Sequence, residues 1–155
     1  TFSLDRKKVG QWEVENLLKE HFPGKTITLS DGWYYVVSLE DWQKIFAFWG
    51  EILEALKELG FTYERSYRDC DNYSYLFTAF ISFFLGVNSG SVWGWVYSME
   101  DVFKYGHFWT AITYQTSSGL KLGIYEPMYN KLTLDMKEPL ILNGKKYYPM
   151  SFRFF

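Results

Sequence analysis

The sequence predicts an α+β domain, with helices first and an antiparallel sheet after them. Two observations carry that prediction: apolar residues recur with a period near 3.6 up to Leu85, and after Gly90 the period falls to two. The 155 residues suit one domain spanning 1–155, large enough to bury a core without covalent staples.

The first helix is expected over Val9 to His21, on apolar Val9, Trp12, Val14, Leu17 and Leu18, and Pro23-Gly24 closes it. Trp33 to Val37 is a short aromatic and β-branched run that reads as an edge strand. Ser38 then caps a second helix, whose stripe runs through Trp42, Ile45, Phe46, Trp49, Ile52, Leu53 and Leu56 to a stop at Gly60. A third helix is expected from Cys70 to Leu85, with Asp69 as its N-cap and Gly86 as its end. Strands follow over Ser91 to Tyr97, Phe108 to Gln115 and Leu120 to Tyr125, the last two joined by Ser117-Ser118-Gly119 as a hairpin. Lys131 to Asp135 and Tyr147 to Phe155 are further strands, with an Asn143-Gly144 turn between Leu140-Ile141-Leu142 and the last of them.

Composition narrows the function classes. Fourteen Phe, 13 Tyr and 7 Trp, 22% of the chain, exclude intrinsic disorder. Sixteen basic residues against 18 acidic, with no basic run longer than Arg6-Lys7-Lys8, lack the electrostatic footprint of a nucleic-acid binder. No apolar stretch is long enough to span a bilayer, and Thr1 to Lys7 lacks the apolar core of a signal peptide, so the default expectation is a cytoplasmic protein without a membrane partner. A single cysteine cannot form an internal disulfide. No compact acidic cluster has calcium-loop spacing, so neither a metal nor another cofactor is expected.

The chemistry-bearing residues are few. Cys70 stands at a helix start, where unpaired amides and the positive end of the dipole favour a thiolate. A thiolate nucleophile needs a histidine to move its proton, and His107 opens the Gly106-His107-Phe108-Trp109 strand. A hairpin turning near Ser117-Ser118 brings Glu126 opposite or nearly opposite His107, within reach to orient the ring. Each residue also has a plainer reading: a lone cysteine on an apolar stripe as inert core, a histidine at a strand start as a local hydrogen-bonder, Glu126 as a solvated strand end. Trp109, Asp71 and Trp95 are the candidate substrate contacts. Trp109 shares the strand face of His107, and Asp71 adjoins the cysteine, where serving the helix dipole ranks above binding a basic group. Trp95 lies in a row with Trp93 and Tyr97. That row is either a sugar-stacking surface or, as the favoured reading, a face packed on the helices.

Three segments, Arg68-Asp69-Cys70-Asp71-Asn72-Tyr73-Ser74, Gly106-His107-Phe108-Trp109-Thr110-Ala111 and Ile124-Tyr125-Glu126-Pro127, together resemble a papain-like group of small cysteine-peptidase domains. Such domains occur in bacterial, phage and viral proteins and as the C-terminal domain of a mushroom agglutinin. The resemblance covers roughly residues 30 to 155 and implies a papain-like α+β fold. It also implies a Cys70-His107-Glu126 triad that hydrolyses a peptide or other amide through a thioacyl intermediate. Two alternatives stand beside a cysteine hydrolase: a catalytically silent binding domain of the same fold, and an aromatic-rich carbohydrate-binding module.

Overall fold

The computed structural model describes residues 3–64 and 69–155; Arg68 of the first motif lies outside them. The elements in order are β1 (Lys7–Gly10), α1 (Gln11–His21), β2 (Thr26–Leu29), β3 (Trp33–Ser38), α2 (Leu39–Glu58), α3 (Cys70–Phe80), β4 (Gly90–Tyr97), β5 (Phe103–Thr116), β6 (Gly119–Glu126), β7 (Lys131–Thr133), β8 (Leu140–Leu142) and β9 (Lys145–Phe154). The class is α+β: among the described residues there are three α-helices and a nine-stranded sheet.

Two features correct the expected layout. Besides the expected strand β3, strands β1 and β2 interleave with the helices, and β3, read as an edge strand, lies between β1 and β5 because β1 pairs along its outer side. The sheet is mixed, because β2 runs parallel to β9 and β3 parallel to β5. The main path is β1-β3-β5-β4-β9-β2, with β6 on β5, β7 on β6 and β8 on β9. Val9, read as the first residue of α1, instead lies in the edge strand β1, where it pairs with Tyr34.

The local signals that set helix ends work as simple chemistry. Ser38 Oγ accepts the Asp41 amide at 3.1 Å. Gly60 adopts φ 81°, and Gly86 adopts φ 62° after α3 widens into a π-helical turn over Ile81–Leu85. Asn143 and Gly144 both take positive φ, which gives the two-residue β8–β9 hairpin a twist matching its strands.

The core forms on both sides of β5. Trp109 and Ala111 point into one cluster with Val92 and Val96 of β4 and with Val14 and Leu18 of α1. Ile112 points into the other with Trp42 and Trp49 of α2 and Phe77 of α3. The aromatic row on β4 therefore does not pack as expected. The face of Val92, Gly94 and Val96 is the fully buried one, and Trp93, Trp95 and Tyr97 are half-buried on the other. The cause is Gly94: a Cβ there would lie 2.6 Å from the Trp109 ring and 2.1 Å from the Tyr148 carbonyl oxygen. The Trp109 ring occupies the room that a side chain on β4 would otherwise need, so the bulky residues of that strand take the outer face.

Candidate active site

Cys70 is the first residue of α3, and two bonds fix the helix start. The Asp69 amide donates to Asn72 Oδ1 at 3.2 Å, and the Tyr73 amide donates to the Asp69 carbonyl at 3.1 Å. One turn further on, Ser74 is fully buried and its hydroxyl donates to the Trp109 carbonyl at 2.8 Å. The Ser91 and Thr110 hydroxyls each lie 3.3 Å from Ser74 Oγ. This buried polar knot ties the helix that carries Cys70 to the strand that carries His107.

The β5–β6 register pairs Thr110 with Tyr125 and Thr116 with Gly119. Glu126 thus falls across from Trp109 and diagonally from His107, on one face of the hairpin. His107 Nε2 and Glu126 Oε2 are directly hydrogen-bonded, and both residues are buried. The Cys70 thiol also interacts with the ring and favours its charged form, and Cys70 and His107 line the same cleft. The structure thereby brings Cys70, His107 and Glu126 together, with the thiol half-buried. The cleft has a volume of about 770 Å³, and its lining also includes Asp69, Tyr105, Met128 and Lys145.

Glu126 is held from three sides. It accepts from His107, from the Met128 amide at 3.2 Å and from the Tyr147 hydroxyl at 3.5 Å. The turn after it is riveted to α2, because Trp49 Nε1 donates to the Pro127 carbonyl at 2.8 Å. Asn130, which pairs with the Tyr125 hydroxyl, donates to the Phe46 carbonyl at 3.3 Å. Burial opposes charge on His107, yet the hydrogen bonds and negative charge of Cys70 and Glu126 outweigh it and raise its pKa from the ordinary 6.5 to about 9. Burial, reinforced by the Glu126 charge, pushes the Tyr147 hydroxyl up, so it remains a donor to the carboxylate.

The remaining sequence-derived candidates are placed differently. Trp109 is fully buried and stacks under His107, with ring centres 6.0 Å apart and planes 27° apart, so it supports the imidazole from below and does not wall the cleft. Its Nε1 has no hydrogen-bond partner among the described residues. Trp95 packs edge-to-face against Trp93 and Phe103 on the outer face of the sheet. Asp71 is half-exposed in the first turn of α3, where a hydrogen bond to the Asp69 side chain is the main reason its carboxyl sits above the usual range. Gly106 needs no unusual clearance, since a Cβ there would meet Trp95 at 3.4 Å, an ordinary contact. Sequence reasoning missed Tyr105, Tyr147 and Lys145, which reach the site from strand ends. Alternation along β9 from Tyr147 was the available signal.

Among the described residues, no cluster of three or more His, Cys, Asp or Glu side chains is arranged to hold a metal ion, and no helix is long and apolar enough to cross a membrane. Comparison of the sequence with protein-family models gives no match, and neither does comparison with curated proteins.

Proposed function

We propose that the protein is a papain-like cysteine hydrolase that cleaves an amide bond. The observation that carries this reading is His107, hydrogen-bonded to a buried carboxylate and sharing one cleft with a cysteine at a helix start whose thiol favours the charged ring. In this reading Cys70 Sγ attacks the amide carbonyl carbon and an S–C bond forms. The carbonyl electron pair moves onto oxygen, where the backbone amide of Cys70, lacking an intrahelical acceptor, is placed to stabilise it. As the tetrahedral centre collapses, the C–N bond breaks and the amine leaves with the proton held by the His107 imidazolium. Water then gives a proton to the neutral ring and its oxygen attacks the thioester. Collapse of that centre breaks the S–C bond, releases the acid and restores the thiolate beside the imidazolium. Glu126, bonded to Nε2, orients the ring and leaves Nδ1 for the sulfur and the leaving amine.

The edge-to-face packing of Trp93, Trp95, Phe103 and Tyr97 gives less support to the carbohydrate-binding alternative. Those rings occupy one another and do not form a flat platform.

The test is alkylation of Cys70 by iodoacetamide across pH. Expected is a rate at pH 6 at least about tenfold above that of glutathione, lost in His107→Ala. A thiol that reacts like free cysteine and ignores His107→Ala would reject the activated nucleophile. Cleavage of a labelled protein by the native chain and not by Cys70→Ala would separate an active hydrolase from a silent relative of the fold.

A further inference from the structure

On β9, Lys145 shares a face with Tyr147, whose hydroxyl reaches Glu126; Lys145 therefore sits two residues further along the strand from the site. It turns inward while its neighbour Lys146 pairs with Asp101. Lys145 Nζ donates to the Tyr105 hydroxyl at 3.1 Å and lies 5.6 Å from the centre of that ring. Tyr105 in turn packs edge-on against His107, with ring centres 5.7 Å apart. The bond to Tyr105 raises the pKa of Lys145, so it carries its charge at neutral pH. Lys104 lines the same cleft. Among the described residues neither ammonium has a carboxylate partner, whereas Lys19, Lys25, Lys44 and Lys57 each have one. Among the described residues, these two cations of the cleft thus stand outside ion pairs, with Asp69 in the same lining and Glu126 acting on Lys145 only at longer range.

We propose that Lys145, with Lys104, selects an amide substrate that carries a carboxylate close to the scissile bond. The inference rests on the hydrolase reading of the cleft and adds its specificity. Lys145 is the stronger determinant, because it is half-buried and Tyr105 fixes its position; Lys104 is exposed and adds long-range attraction.

Two small probes test this without a known substrate. Iodoacetate and iodoacetamide react with Cys70 by the same step, in which the sulfur forms a bond to the methylene carbon and iodide leaves with its electron pair. They differ in one negative charge. The ratio of the iodoacetate rate to the iodoacetamide rate, referred to glutathione, reads the field at the sulfur. The ratio should exceed that of glutathione at low salt and fall about threefold in Lys145→Gln, the Coulomb effect of one charge several ångströms away at a protein–water boundary. It should fall further in the double variant with Lys104→Gln, and Lys145→Arg should restore it. In 1 M salt, where the screening length is about 3 Å, the difference between the native chain and Lys145→Gln should largely vanish. A ratio that the double variant leaves unchanged overturns the inference, even where rapid His107-dependent alkylation by iodoacetamide upholds the hydrolase reading. A Cys70 inert to both probes overturns both. If Lys145→Gln fails to fold, the Lys104→Gln, Lys145→Arg and salt comparisons still decide.

Discussion

Replacing Glu126 by Gln keeps the shape of a side chain that is 1% exposed and removes only its charge. His107, 3% exposed, holds its proton up to about pH 9 against an ordinary 6.5. That difference corresponds to about 3 kcal/mol of preference for the charged ring, at about 1.4 kcal/mol per pH unit. Cys70 and Glu126 share it against the opposing cost of burial. Because the folded value lies above the unfolded one, the stabilisation is fully present below about pH 6.5 and is lost as pH rises through about 9. Urea unfolding of the native protein should therefore lose up to about 3 kcal/mol from this group between those limits, and Glu126→Gln should flatten the loss by at least about 1 kcal/mol. The direct assay is an NMR titration of the ring Cε1–H signals. With only His21 and His107 in the chain, assignment needs one His21 variant. His107 should titrate at least about one pH unit lower in Glu126→Gln. A midpoint unmoved by the substitution, with unfolding profiles of equal pH dependence, would show that the carboxylate does not hold the imidazolium.

Four further substitutions probe the frame of the site. Ser74→Ala removes the donor to the Trp109 carbonyl and should cost about 1–2 kcal/mol in urea unfolding, with slower alkylation of Cys70 as α3 loosens from β5. Gly94→Ala forces a Cβ to 2.1 Å from the Tyr148 carbonyl oxygen and should cost about 3 kcal/mol or prevent folding. Gly106→Ala on the neighbouring strand should stay within about 1 kcal/mol, and equal effects in thermal melts would refute the packing argument. Trp49→Phe deletes the bond to the Pro127 carbonyl and should cost about 1–2 kcal/mol, read from the urea midpoint.

The parts of the fold legible in the sequence are those set by nearby residues. Ser38, Gly60, Gly86 and the Asn143-Gly144 turn act within one or two residues of themselves, and each fixes an element end where expected. The juxtaposition of His107 and Glu126 was legible for the same reason, because a short turn at Ser117-Ser118 sets the register of everything above it. Strands β1 and β2 were not legible. Each is four residues long, and their partners Val36 and Ser151 are remote in the chain, so nothing local marks them. The parallel pairing of β2 with β9 is invisible for the same reason. Alternation placed Trp109 on the face of His107 but could not show that this face turns from cleft to core within two residues. Lys145 belongs to the site only because β9 lies beside β4, a pairing no local pattern encodes.

The knot at Ser74 also bears on how the molecule matures. Its partners come from α3, β4 and β5, and the acid that aligns His107 comes from β6. An emerging or half-folded chain therefore carries Cys70 on a helix with no base beside it. Activation of the sulfur waits on contacts between distant parts of the chain, among the slowest steps in folding. On the proposed hydrolase reading, the chain is thus shielded from self-inflicted cleavage or adventitious oxidation until its cleft exists, and alkylation rate during refolding becomes a clock for the final closure of the sheet.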